Sequence, residues 1–470
     1  MKNIKKSGYN HRFLARFVIE AETPLAVGSG EKDVLTDALV ATDVNGLPYI
    51  PGTAIAGVVR HMIEEVKPED FNVNKIFGFQ DKKDGRGSEI IFTEAKILNS
   101  KGEVVDGMNL KAKEDSLLKY YDELPIRQHV RINDKGVTDK AGKFDEQVIF
   151  AGTRFCFEME MVAKGESIDN FNKILEQVQS QAFRIGGGTR SGFGKIKVVD
   201  LQTKTLDLTK QEQLKAYLEK PSVLNSDFWS KENHGQEEIK SNGWITYELK
   251  LQPEDFFLFG SGFGDDEVDM TPVKERKVKW NEEGTKGELS DDLVLIPTTS
   301  VKGALAHRVA FHHNRLLGRF AGCTGDKEPK VGNENEAVQT LFGYENQEAK
   351  KQVRGNLLFS DVIEDKRLED KILNHVAIDR FTGGAIDGAL FQEKTTYITD
   401  DNKSFTLTIL ANEKVLKGEK IQESLETAMI DICKGLLPLG GGVNRGNGTF
   451  TGSLSVNDVE IYPEDKRKEA

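Results

Sequence analysis

Cysteine is scarce in this 470-residue chain, and what little there is has no pattern. Cys156, Cys323 and Cys433 are far apart, odd in number, and form no Cys-x-x-Cys pair. That argues against a disulfide framework or a structural zinc ribbon and fits a reducing cytoplasm. His307, His312 and His313 lie near Cys323 in sequence, but their spacing matches no standard ligand pattern, so no zinc site is expected. No run of about 18 apolar residues occurs, so no membrane span is expected. The basic start, Met1-Lys-Asn-Ile-Lys-Lys6, is followed by no apolar stretch and does not read as a secretory signal. These absences together predict a cytoplasmic protein.

Common catalytic signatures are missing too. The chain has no HExxH, no GxSxG, no GxxxxGK[ST] and no protein-kinase set, and its glycine loops do not fit GxGxxG. A nucleotide-dependent enzyme is therefore not expected. An excess of positive charge is also lacking. Lys and Arg number 64 against 76 Asp and Glu, a net charge of −12. That weighs against a free-standing, non-specific nucleic-acid binder but leaves room for a local basic groove. Basic residues gather at Arg184, Arg190, Lys195 and Lys197, and again at Lys274, Arg276, Lys277 and Lys279. The plainer reading of each cluster is a solvated face.

What the chain does have is a repeat. Ile185-Gly-Gly-Gly-Thr-Arg-Ser-Gly-Phe-Gly194 returns, altered, as Leu439-Gly-Gly-Gly-Val-Asn-Arg-Gly-Asn-Gly448. Each copy follows an amphipathic helical pattern and precedes a strand-like run. The landmarks upstream repeat in register. One constant offset relates Gly28-Ser-Gly30 to Gly260-Ser-Gly262, Asp33 to Asp265, and Asp37 to Asp269. A second, larger offset relates Ile50-Pro51 to Ile296-Pro297 and His129 to His375, and a third, larger again, relates Gly186 to Gly440. Growing offsets are what insertions in surface loops produce. Two homologous domains follow: residues 1–219, a polar linker over 220–243, and residues 244–470.

Each domain reads β-loop-β-α, then insertions with a hairpin, then β-α-glycine loop-β. The fold class is α+β: two tandem ferredoxin-like (RRM-like) domains with inserted hairpins. Such a fold presents an open sheet and long insertions to a partner. A helix with Thr53 as its cap is predicted after Pro51, and Thr209-Lys-Gln-Glu212 reads as a capping box.

Several residues recur where chemistry could sit. Asp37 and Asp269 stand at the same short distance after a Gly-Ser-Gly. A solvated aspartate is a poor general base at neutral pH, but it suits holding Mg²⁺ or Mn²⁺ beside a phosphodiester or orienting a hydroxyl. An Asx turn is the plainer alternative. Asp33 and Asp265 share the register and compete for the role. His129 and His375 could shuttle protons or simply hold the hairpin bases. In the glycine loops, Gly186, Gly187 and Gly188, and Gly440, Gly441 and Gly442, could bring backbone N–H groups to an anion. Arg190 and Arg445 beside them suit phosphate contact.

Together these landmarks resemble the RAMP superfamily of CRISPR-associated proteins. In the first half the resemblance rests on Thr36–Asp43, Leu47–Gly57, Phe77-Gly78, Ile91-Phe92 and Ile185–Gly194. In the second half it rests on Ile296–Gly303, Leu341–Gly343, Leu357–Asp361, Ile378–Gly383 and Leu439–Gly448. Two domains in one chain are similar to the fused backbone subunits of type III-D effector complexes. Lys274 to Asp292 departs from the pattern as an insertion before the second Ile-Pro motif. The resemblance implies a subunit that binds guide CRISPR RNA beside other RAMP backbone subunits and a large signalling subunit, with no membrane partner. It implies that Asp37 and Asp269 cleave target RNA with a transient Mg²⁺ or Mn²⁺. It makes Arg60 and Lys302, on the helices after the Ile-Pro motifs, candidate RNA contacts with the glycine-loop residues. Within the same resemblance, the chain could instead be an inert guide-RNA scaffold or a guide-processing endoribonuclease.

Overall fold

The computed structural model describes residues 8–32, 36–82, 84–133, 136–229, 243–346, 351–364, 368–399 and 404–463. Two antiparallel sheets carry the fold. In the first, the spatial order is Ile90–Phe92, Arg154–Ala163, His11–Ala21, Ile196–Asp207, with Lys96–Ile97 also paired to Arg154–Ala163. In the second it is Leu357–Phe359, Phe405–Asn412, Trp244–Pro253, Phe450–Val456, with Val459–Tyr462 added at the edge. Helices Gly52–Val66 and Ile168–Val178 belong to the first sheet, and Thr298–Leu316 and Ile421–Cys433 to the second. Numbered along the chain, both sheets run 2-3-1-4, the split βαβ order of a ferredoxin-like domain.

Side-chain periodicity explains these elements. Along His11–Ala21, Phe13, Ala15, Phe17, Ile19 and Ala21 point to one buried face. Gly52–Val66 buries Ile55, Val59 and Ile63, one residue per turn, against that face. Val301, Leu305 and Val309 repeat the stripe in Thr298–Leu316. The first helix starts two residues earlier than expected, at Gly52, with Pro51 rather than Thr53 as its cap and no side-chain capping bond. A Cβ on Gly52 would lie 2.4 Å from the Phe92 carbonyl oxygen, so the helix can approach the sheet edge only with glycine there.

The first sheet is not open. Leu14 and Leu206, on its far face, are covered by Trp229, with Tyr217 and Phe228 alongside. Glu158 accepts hydrogen bonds from Trp229 Nε1 (2.9 Å) and Lys220 Nζ (2.5 Å), and Glu160 accepts one from the Tyr217 hydroxyl (2.6 Å). Residues 220–229 of the expected linker therefore pack on the first domain. The capping box does not form. The Thr209 hydroxyl turns to Asp207 (2.7 Å), and the helix runs Gln211–Leu218.

The insertion after Asp269 has a structural task. Its hairpin, Val278–Trp280 with Gly287–Leu289, lies on the first domain. Val278 joins the first hydrophobic core, Trp280 Nε1 donates to the Gly152 carbonyl (2.8 Å), and the Arg154 guanidinium lies 4.3 Å from the indole centroid. A second tie is ionic. Arg127, 5% exposed, donates to Glu275 through Nε and through Nη2 (2.9 Å), and to Asp361 Oδ2 through Nη1 (3.0 Å). Asp361 Oδ1 accepts from the Thr298 amide (2.8 Å) and hydroxyl (2.6 Å), which caps the second domain's first helix.

Removing Arg127 would strand two carboxylates. Arg127→Ala should cost about 3–5 kcal/mol, read as a lower denaturant midpoint; a wild-type midpoint would contradict the assignment. A pH effect follows from the end of the Thr298–Leu316 helix. Burial holds His312 and His313 below the ordinary histidine pKa, against the opposing pull of Asp431 on one and the Glu419 carbonyl on the other. The unfolded chain takes up these protons below about pH 6.5, where the fold resists them. Stability is therefore full above that pH and lost as the pH falls below it. Thermal melts at successively lower pH should show that loss, and a His312→Gln, His313→Gln variant should show a shallower one.

Candidate functional site

Three pieces meet in the same way in both domains: the Gly-Ser-Gly loop, the inserted hairpin and the glycine loop. The first loop is closed by bonds from the Ser29 amide to the Leu39 carbonyl (2.9 Å) and from the Ala41 amide to the Val27 carbonyl (2.8 Å). The second is closed by the equivalent pair, Ser261 to Thr271 (2.9 Å) and Val273 to Phe259 (2.7 Å). The hairpins are Ile126–Ile132 with Thr138–Gln147, and Leu368–Ile378 with Ala385–Ile398.

Asp37 and Asp269 are both exposed and occupy equivalent positions against these hairpins. Asp37 Oδ2 accepts from the Asp145 amide (3.2 Å), and the Asp37 amide donates to Asp145 Oδ1 (2.9 Å). Asp269 Oδ2 accepts from the Gln392 amide (2.8 Å), and the Asp269 amide donates to the Gln392 carbonyl (3.0 Å). Asp145 and Gln392 match because each follows the phenylalanine cross-strand from a repeated histidine, His129↔Phe144 and His375↔Phe391. One hydrogen bond thus holds each carboxylate, and the other oxygen of each has no hydrogen-bond partner among the described residues.

The competing aspartates differ. Asp33 lies outside the described residues. Asp265 is spent on structure: it accepts from Lys394 Nζ (2.8 Å) and from the amides of Glu267 and Val268 (both 2.9 Å). The Lys394 bond, then those two amides, pull its carboxyl down to about 2.

The histidines are built into the hairpin bases. His129 is buried, stacks on Phe144 (4.8 Å between centroids), and places Nε2 3.0 Å from Glu146 Oε1. His375 Nε2 lies 3.0 Å from Glu393 Oε1. Glu393 is fully buried and is also held by Arg445 Nη2 (2.5 Å) and Asn447 Nδ2 (3.1 Å). The His129 side chain is 9% exposed and that of His375 31%.

The middle glycine of each triplet spends its amide internally. The Gly187 amide donates to Ala26 and the Gly441 amide to Leu258, both at 2.7 Å, which are the residues leading into each Gly-Ser-Gly loop. A Cβ on Gly186 or Gly440 would lie 2.4 or 2.5 Å from those same carbonyl oxygens. The loops therefore clasp site loop to sheet. Gly188 and Gly442, both at positive φ, complete the turns.

The two arginines are not equivalents. Arg190 is the second residue after Gly188, whereas Arg445 is the third after Gly442, and they go to different places. Arg445 neutralises Glu393. Arg190 crosses to the second domain, donates to the Gly355 carbonyl (3.0 Å), and sits 5.9 Å from the Trp244 ring centroid. Burial pulls its pKa down to about 10. Burial and then the charge of Arg190 lower that of Lys302 as well. Among the described residues no carboxylate pairs with either cation. Arg190 also lines a cleft of about 580 Å³ between the domains, with His61, Arg184, Trp244 and Lys414. Arg60 is engaged elsewhere, donating to Glu64, the Gly78 carbonyl and Asn74, all at 3.0 Å.

The donor set bears on Mg²⁺ or Mn²⁺. Among the described residues no group of three or more His, Cys, Asp or Glu side chains converges. Each site offers one exposed aspartate, with the Asp145 carboxylate adjacent in the first. That fits an ion completed by water and substrate phosphate rather than caged by protein.

Because Glu393 ties together a histidine, an arginine and an asparagine, Glu393→Ala should loosen the second hairpin alone. Amide exchange should quicken across 368–398 and stay unchanged across 126–147, with about 1–3 kcal/mol lost from the domain. Equal change in both hairpins would contradict this.

The family model described as the RAMP superfamily matches residues 18–197 and 281–451. No curated protein matches the chain.

Proposed function

The chain belongs to the RAMP superfamily, whose members are CRISPR-associated RNA-binding proteins, and on that footing we propose that it is a backbone subunit of a type III effector complex, in the fused form of type III-D systems. In this reading it holds guide RNA alongside other RAMP subunits and a large signalling subunit, and cleaves the complementary target RNA. The observation that carries the reading is the matched placement of Asp37 and Asp269, each held by one hairpin amide at the mouth of a Gly-Ser-Gly loop. A structural Asx turn would satisfy the carboxylate within its own loop. These two instead reach across to another element and leave an oxygen with no hydrogen-bond partner among the described residues.

RNA carries its own nucleophile, the 2′-OH. A site then needs to splay the backbone in line and hold the hydroxyl in place, so no triad is required. The hairpins rise beside the aspartates and suit the first task; the exposed carboxylates suit the second. A Mg²⁺ or Mn²⁺ shared with the substrate would supply charge stabilisation at the scissile phosphate. Asp37 and Asp269 are the residues that would hold it. Arg190 and Lys302, cationic and without a carboxylate partner among the described residues, suit the guide phosphates. With the guide pairing the bases, the protein reads backbone and shape, and a net charge of −12 is tolerable when one face is basic.

In the assembled complex, Asp37→Ala and Asp269→Ala should each remove one set of cleavage products and leave guide binding intact; the double variant should cut nothing. Unchanged cleavage would leave a guide-holding scaffold. Arg190→Ala with Lys302→Ala should weaken guide retention and flatten its salt dependence by about two phosphate contacts. A guide affinity with wild-type salt slope would remove those residues from the RNA path.

A further inference from the structure

The two sites are not copies in one respect. In the second, Phe263 stands on the loop that carries Asp269, with 57% of its surface exposed. It belongs to neither of the large hydrophobic cores. In the first loop the same register position, directly after the Gly-Ser-Gly, is Glu31. Packing does not account for an exposed ring here, yet its backbone is tightly fixed. The Phe263 amide donates to Ser261 Oγ (3.1 Å). Its carbonyl accepts from the Thr271 amide (3.1 Å), Thr271 Oγ1 (3.0 Å) and Ser261 Oγ (2.9 Å). Thr271 is two residues past Asp269, which Gln392 holds in turn. Ring and carboxylate therefore sit on one closed loop, anchored at both ends.

The ring also has a cation. Lys143, from the first domain's hairpin, places Nζ 5.4 Å from its centroid. Lys394 lies 2.8 Å from Asp265 and 3.5 Å from Glu267, offsetting part of the acidity of the loop between ring and Asp269.

We propose that Phe263 is a nucleobase-stacking platform that sets the register of single-stranded RNA at the second aspartate site, with Lys143 taking the adjoining phosphate. An aromatic face accepts any base, which suits a strand whose sequence is dictated by pairing elsewhere. A lysine beside the ring suits a polyanion and disfavours a basic or apolar peptide. The assignment rests on the RNA-binding reading above and adds a contact that only one of the two sites possesses.

The test uses the assembled complex, its guide, and complementary target RNAs that each carry one abasic nucleotide at successive positions. Phe263→Trp, placed in an Asp269→Ala background, reports stacking apart from cleavage, with the signal of the native tryptophans subtracted. Target RNA should quench the new tryptophan, and one abasic position should abolish the quenching. With Asp269 intact, Phe263→Ala should slow the second-site cut about ten-fold or displace it, leave the first-site cut alone, and be rescued by Phe263→Tyr. Absence of quenching at every position overturns the proposal, as does a second-site cut unchanged in rate and position by Phe263→Ala. Quenching in a complex that cuts nothing keeps the stacking assignment and removes the cleavage reading. Cutting without quenching does the reverse.

Discussion

Arg127 is buried between two carboxylates of the other domain, and that pairing decides how the halves of the chain meet. A buried guanidinium is costly unless its charge and its donors are matched. Here Glu275 takes two donors and Asp361 a third, and Asp361 spends its other oxygen on the cap of the Thr298–Leu316 helix. Gly192, in the first glycine loop, fits beside this cluster only because it has no side chain; a Cβ would lie 2.1 Å from Asp361 Oδ1. The contact therefore joins the base of one hairpin, one glycine loop and the start of one helix at a single point. The Val278–Trp280 hairpin adds an apolar tie a short way along the same boundary. With the boundary fixed, Lys143 of the first domain reaches Phe263 of the second, and Arg190 reaches the Gly355 carbonyl.

Within each domain a second constraint repeats. The glycine loop clasps the entry to the Gly-Ser-Gly loop, and the hairpin amide holds the aspartate near its exit. A carboxylate on a solvent loop would ordinarily sample many orientations. Tied at both ends to a hairpin and a clasp, it is held in one, which is the kind of pre-positioning that catalysis by orientation requires. The His–Glu pairs stiffen the hairpin bases but differ in their supports. Both histidines stack on the cross-strand phenylalanine, Phe144 or Phe391; the first also meets Phe193, whereas the second's buried glutamate is held by Arg445 and Asn447. The same stack and pair recur, with an added aromatic ring in one and added cationic and amide support in the other.

Much of this was legible in the sequence because it depends on register. Constant offsets exposed two domains of one kind, and the recurrence of Asp37 and Asp269 marked the loops that the structure shows held alike. The glycines were legible as special positions but not as to why: one amide of each triplet points inward, Gly187 to Ala26 and Gly441 to Leu258, contacts between segments at opposite ends of each domain's sequence. Arg190 and Arg445 looked like a pair, although their one-residue slip relative to the glycines was a readable sign that they are not. The partners of Arg127, the covering of the first sheet by Trp229 and the docking of residues 278–289 on the other domain leave no local pattern. Each depends on long-range packing, which periodicity and propensity do not encode.

The central claim is that one chain carries two equivalently held aspartates that cut RNA. The most direct measurement is nucleotide-resolution mapping of the cuts that the wild-type complex makes in an end-labelled target RNA complementary to its guide. The account predicts two cuts per copy of this chain, separated by a constant number of nucleotides whatever the target sequence. Intact RNA, or cuts placed by sequence with no constant separation, would contradict it.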